Sequence, residues 1–218
     1  MPLTQPSRFI IKPDSNDLGL ILAAAQYRKM WKEHGVKILR AFRTVTGMDI
    51  VRTRISARVT RAYVSAAGNG TPYNAMRLAA GDYRSNEFKL MTMVHELTHR
   101  LLMSNGYGPH ALKFTGEYDE EIDHRHVYLI EYDVVLEALG KDWADICVQY
   151  ESRGDWSPEE SGHIAAWQWA MNMTSEERAA KRMQLFRSHR PHNQGVTVKK
   201  NSAVIRDMHS PDFGTVVE

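Results

Sequence analysis

The sequence predicts a single α-rich α+β domain in which a small sheet packs on one central helix. Three observations predict it. Alternation of β-branched and polar residues is confined to residues 50–80, three- and four-residue apolar spacing governs most of the remainder, and Gly and Pro punctuate the boundaries. The length of 218 residues and the 43% hydrophobic content are those of one globular domain able to bury a sizeable core.

The elements follow in chain order. The first dozen residues read as an irregular arm. Asp17 can cap a helix carrying Leu18, Ile21, Leu22, Ala25, Tyr27 and Met30 as far as Trp31. Gly35 is expected to interrupt it before a second helical stretch with Val36, Ile38, Leu39 and Phe42. Ile55, Ala57 and Val59 alternate with Ser56, Arg58 and Thr60, which is a strand pattern. Gly68-Asn69-Gly70 is a turn signal, and residues 73–79 alternate again before Gly81. A strand pair therefore precedes the next helix. That helix carries Phe88, Met91, Val94, Leu97, Leu101 and Leu102 at helical spacing, with Ser85 or Asn86 as its cap and Gly106 as its stop.

After a Gly-Pro loop, a helix is expected over residues 118–139, closed by Gly140. Asp142 starts another, with Trp143, Ile146, Cys147 and Tyr150 on one face. Ser157-Pro158-Glu159-Glu160 is a capping box that opens a helix bearing Ile164, Trp167, Trp169 and Met171, whose tryptophans belong to the core. Thr174-Ser175-Glu176-Glu177 is a second capping box, for a helix to about Phe186. Residues 1–188 form the expected domain, and residues 189–218 a polar, flexible tail.

Composition bounds the function. Cys147 is the only cysteine, so an internal disulfide and a cysteine metal cluster are both excluded, and a reducing compartment fits. No segment approaches the length of a membrane span, and Leu18–Ala25 lacks the basic start of a signal peptide. The expected location is the cytoplasm, with no membrane partner. Residues 1–62 hold 12 Lys/Arg against 4 Asp/Glu, whereas residues 117–160 hold 14 acidic against 3 basic residues. The basic third suits solvated faces better than a phosphate backbone, so nucleic acid is a secondary expectation as partner. The acidic block directly follows the most informative motif in the chain.

That motif is His95-Glu96-Leu97-Thr98-His99, an H-E-x-x-H run inside the predicted helix. Residues four apart share a helical face, so His95 and His99 can hold one metal ion together. Glu96 lies beside them and can take a proton from a metal-bound water. Two histidines leave such a site incomplete, because a catalytic zinc usually has three protein ligands and a water. Leu102 stands where the metzincin pattern needs Gly, so that class fails. His110, in the Gly-Pro loop, would give an SprT-like third ligand. The acidic helix offers more. Glu117, Glu120, Glu121, His124, Tyr128 and Glu131 fall on one broad stripe beside an apolar stripe of Val127, Ile130 and Val134. Glu121 would complete a gluzincin-like site. His124 would complete a three-histidine site, with Glu120 or Glu121 orienting it.

The stretch from His124-Arg125-His126-Val127-Tyr128 through Glu131-Tyr132-Asp133-Val134 to Gly140-Lys141 resembles the second signature of a group of bacterial and phage zinc metallopeptidases of undetermined substrate. In that group an H-E-x-x-H helix is followed by a helix with a single His and then Tyr-Asp-Val. Trp167-Gln168-Trp169-Ala170 and Ser175-Glu176-Glu177-Arg178 are also similar, so the resemblance spans roughly residues 90–186. It implies His124 rather than Glu121 as the third ligand, and it implies no particular substrate.

The expectation is thus a zincin-like domain holding Zn2+ on His95, His99 and His124, with Glu121 and His110 as alternatives. Glu96 is the general base, and a peptide or protein is the substrate. Tyr128, His126 and His110 are the expected donors to a developing oxyanion, Tyr128 first. The strand at 73–79 is expected to hold an extended peptide by β-augmentation. The rival expectation is a regulatory or nucleic-acid-associated module with a structural or residual zinc site.

Overall fold

The structure is a computed structural model, and it describes residues 8–50, 54–61, 75–81, 85–107, 120–152 and 161–188. The elements are β1 (Arg8–Pro13), α1 (Leu18–Thr46), β2 (Arg54–Thr60), β3 (Met76–Ala79), α2 (Asn86–Ser104), α3 (Glu120–Leu139), α4 (Lys141–Ser152), α5 (Ser161–Met171) and α6 (Ser175–Ser188). The fold is mostly helical, with one small three-stranded parallel sheet in the order β1-β2-β3 among the described residues. The turn expected at Gly68, the capping box at Ser157 and the tail at 189–218 lie outside those residues.

Two expectations are corrected here. The first dozen residues are not an irregular arm throughout, because Arg8–Pro13 is a strand. It pairs parallel with β2, Phe9 opposite Ile55 and Ile11 opposite Ala57. A parallel pair needs a long crossover, and α1 is that crossover. Six residues of alternation are too few to announce a strand whose partner lies more than forty positions away. The second correction concerns Gly35, which does not interrupt α1. The helix runs through it from an Asp17 cap, whose side chain accepts from the Leu20 amide at 3.1 Å. A Cβ at Gly35 would lie 2.6 Å from the Trp31 indole. The space a side chain would fill is taken by Trp31, whose ring packs edge-on against Phe9, 4.8 Å between centroids. Mid-helix Gly costs about 1 kcal/mol relative to Ala, and this aromatic contact offsets it.

The sheet turns Ile11, Ile55, Ala57, Val59, Met76 and Leu78 toward the core, where α1 covers it; α2 meets the sheet at β3. Tyr27 of α1 donates its hydroxyl to the Ala79 carbonyl at 2.9 Å, which ties the edge strand β3 to that helix. α2 begins at Ser85, whose Oγ accepts from the Phe88 amide, and ends before Gly106 in the left-handed region (φ 82°). It is buried almost all round rather than on one stripe, Phe88 through Thr98 all being buried. A helix with that surrounding is central to its domain. Three of its polar side chains are satisfied internally, Thr92 and Thr98 by the Phe88 and Val94 carbonyls and Lys89 by Gln26.

α3 packs against α1, α2, α4, α5 and α6, so every later helix among the described residues is fastened to the helix that carries His124. Gly140 (φ 90°) closes it, its amide bonding the Leu136 carbonyl. The capping box at α6 forms reciprocally, Thr174 N to Glu177 Oε2 and Glu177 N to Thr174 Oγ1. α6 is then locked to α3 by a buried ionic cluster. Arg178 donates to Asp133 Oδ1 through Nε at 3.1 Å and Nη2 at 2.8 Å, and Arg182 donates to Asp133 Oδ2 and to the Leu129 carbonyl. Two segments that carry the sequence resemblance, Tyr132-Asp133 and Ser175–Arg178, therefore meet in space. No helix among the described residues is long and apolar enough to cross a membrane.

Candidate metal centre

α2 carries His95 and His99 one turn apart, and α3 brings His124 against both. One nitrogen from each lies within 4.8 Å of the other two, the one such group of potential metal ligands among the described residues. His95 Nε2 and His99 Nε2 are 3.2 Å apart. Two nitrogens each about 2.0–2.1 Å from one tetrahedral zinc would be about 3.3 Å apart, so this pair is spaced as ligands are. The ring centroids give a second test. Imidazoles on one tetrahedral ion place their centroids about 5 Å apart. The three pairs here lie at 4.9 Å (His95–His99), 5.5 Å (His95–His124) and 5.1 Å (His99–His124). The three histidines can hold a metal ion.

The protonation states suit that role. His95 Nδ1 lies 2.8 Å from Glu131 Oε2, with Glu131 fully buried. Donation from Nδ1–H to the carboxylate leaves the Nε2 lone pair facing His99. Burial holds the His99 imidazole well below its ordinary value, and the neighbouring His95, His124 and His163 push in the same direction. A neutral imidazole is the form that binds a metal. Two carboxylate oxygens, Glu96 Oε2 and Glu131 Oε1, are buried without a hydrogen-bond partner. Buried carboxylate oxygens left in that state fit a site made for a cation.

Glu96 is 5% exposed. Burial pushes its carboxyl up to about 7; His95 opposes the rise, Glu131 adds to it, and Arg77 and Arg100 oppose it. A carboxyl poised near neutrality is suited to accepting and returning a proton.

The remaining expected residues are distributed differently. Glu121 is half-buried and engaged by Arg125 Nη2 at 2.6 Å, one turn along α3, and it stands outside the histidine cluster. His110 and the Glu120 side chain lie outside the described residues. His126, two residues from His124, points away from the cluster side of α3 and is half-buried. Tyr128 is beside the cluster but has no exposed surface, and its hydroxyl is 3.1 Å from His163 Nδ1. Its ring also packs edge-on against Trp167, 5.0 Å between centroids. Of the carboxylates expected to orient His124, Glu121 is engaged by Arg125, and the structure places a further one, Glu131, on His95. Glu131 is two turns beyond His124 on the same face, which carries it past its own helix's histidine to α2.

His163 on α5 is the residue that sequence reasoning missed. It is buried, its ring centroid is 3.4 Å from that of His124 and 5.9 Å from that of His95, and burial drops its pKa to about 2, with His124 and His95 adding to the fall. One signal was available. His163 precedes the core residue Trp167 by one helical turn, so a helix that buries Trp167 turns His163 the same way.

No family model, curated protein or solved structure matches this chain.

Proposed function

We propose that this protein is a zinc-dependent hydrolase of the zincin type, a metallopeptidase in which His95, His99 and His124 hold the metal and Glu96 is the general base. The observation that carries this reading is the convergence of three imidazoles at the spacing of ligands to one ion and, next in sequence to one of them, a buried carboxyl poised near neutrality. Zinc held there by three neutral ligands would keep its full charge and would supply the acidification of water and the polarisation of a carbonyl. Glu96 takes the proton from the attacking water and delivers it to the leaving nitrogen, which completes hydrolysis of an amide. Glu131 holds the His95 ring in the tautomer that presents Nε2.

A peptide substrate is supported by the position of β3. Among the described residues it is an edge strand of the sheet and it touches α2, so a segment added to that edge runs past the helix of the centre. The structural-zinc alternative requires a fourth protein ligand. Among the described residues the nearest additional imidazole, His163, is 3.4 Å from His124 by centroid, well inside the roughly 5 Å that two ligands of one tetrahedral ion would show. That spacing favours three protein ligands and an open fourth position.

The test uses the purified full chain. Metal analysis should give one zinc per chain in the wild type and none in His95→Ala or His99→Ala. Zinc-loaded protein is then incubated with a degenerate peptide library, and new termini are read by mass spectrometry against a Glu96→Gln control. Cleavage by the wild type alone supports the reading. Full zinc retention in both histidine variants, or equal cleavage by the Gln variant, would overturn it.

A further inference from the structure

Four imidazoles meet in this cluster, but their geometry divides them into three and one. His95, His99 and His124 keep centroid separations of 4.9–5.5 Å from one another, as groups do that converge on a single point. His163 instead lies 3.4 Å from His124 with the ring planes tilted by 40°, which is ring-on-ring contact. Its Nδ1 is bonded to the Tyr128 hydroxyl at 3.1 Å. Tyr128 is itself fixed by Trp167, one turn beyond His163 on α5. His163 is thus held at one edge by α3 and presses its face on a histidine of the same helix.

From this arrangement we infer that His163 is a positioning residue. It acts as a wall that holds the His124 ring turned toward His95 and His99, without donating to the metal itself. The inference rests on the metal-centre reading above and adds what that reading lacks, a reason for the orientation of its third ligand. His95 has Glu131 for this purpose, through a hydrogen bond to the ring nitrogen remote from the cluster. For His124 the corresponding restraint is a tilted ring packed directly against it, which removes the freedom of the imidazole to rotate about its Cβ–Cγ bond. The distinction matters for chemistry. A fourth ligating histidine would close the site, whereas a packed one leaves a coordination position for water or substrate.

The two roles separate by substitution. His163→Phe keeps a flat ring on His124 and removes every nitrogen. His163→Leu keeps the volume and removes the flat face. Each variant, with wild type and His124→Ala, is titrated with Zn2+ in competition with a chromophoric chelator. Each is also loaded with Co2+, whose visible spectrum reports ligand number and geometry. A circular-dichroism melt confirms folding. The expected result is one metal per chain in His163→Phe, with affinity within about tenfold of wild type and an unchanged cobalt spectrum. His163→Leu should bind about 10–100-fold more weakly, the usual cost of losing an orienting partner, with a shifted spectrum. If His163→Phe loses metal as severely as His124→Ala, His163 is a ligand and the inference is overturned. A folded His163→Leu with wild-type affinity and spectrum overturns it as well. A folded wild type that binds no metal would instead remove the metal-centre reading on which it stands.

Discussion

Glu96→Gln should change stability and activity in opposite directions. The substitution is nearly isosteric and removes only the ability to ionise. In the metal-free chain the Glu96 carboxyl titrates near 7, against 4.5 for an exposed glutamate, because it is buried. Between those values the folded state holds a proton that the unfolded chain has released. The associated stability is complete below about pH 4.5 and is lost as pH rises through 7. Between 4.5 and about 7, at about 1.36 kcal/mol for each step of one in pH, the loss amounts to about 3 kcal/mol. Glutamine cannot ionise, so the variant avoids this loss. The assay is urea unfolding of both proteins in chelator from pH 4.5 to 8. The difference curve isolates Glu96, since the histidines titrate in both chains. It should rise by about 3 kcal/mol in favour of the variant, which near the melting temperature is roughly 6–12 °C for a chain of this size. With zinc bound, the variant should keep one metal per chain while hydrolysis falls by about 10²–10⁴-fold. A flat difference curve would refute the buried, high-pKa carboxyl. An active Gln variant would refute its role as base.

Other perturbations test the surrounding structure. Glu131→Gln should weaken zinc binding about 10–100-fold in chelator competition without changing stoichiometry, because His95 loses its orienting acceptor; unchanged affinity would remove Glu131 from the centre. His124→Ala should cost far more zinc affinity than Glu121→Ala, since Glu121 is occupied with Arg125, and the reverse order would move the third ligand to Glu121. In the metal-free Glu96→Gln background, urea stability should fall as pH drops below about 6.5. His99 and His163 have depressed values in the folded state, so only the unfolded chain takes up their protons there; a stability that holds or rises over that range would contradict their burial. Asp133→Ala should destabilise the fold by about 3–5 kcal/mol by leaving Arg178 and Arg182 buried without their carboxylate. A loss under 1 kcal/mol in a denaturant titration would show that the cluster is not a clamp.

The sequence by itself determined the helices and the local logic of the site. The Ser85 cap, the Gly106 and Gly140 stops and the Thr174 capping box are readable because each depends on residues within one turn. The pairing of His95 with His99 is readable for the same reason, as is the stripe that put His124, Tyr128 and Glu131 on one face of α3. What lay between elements was not readable. β1 is a strand only because β2 lies beside it, and Gly35 stands inside a continuous helix where Trp31 takes the space of a side chain. Tertiary structure alone decided that Glu131 serves His95 on another helix, that Asp133 is shared by two arginines of α6, and that His163 arrives from α5 to pack on His124. Each of these is a contact across a chain separation of about forty residues, where helix packing rather than local periodicity sets which side chains meet. A histidine in a short apolar helix has the same sequence signature whether it lies against solvent, core or metal ligand. Only the packing of α5 on α3 distinguishes them.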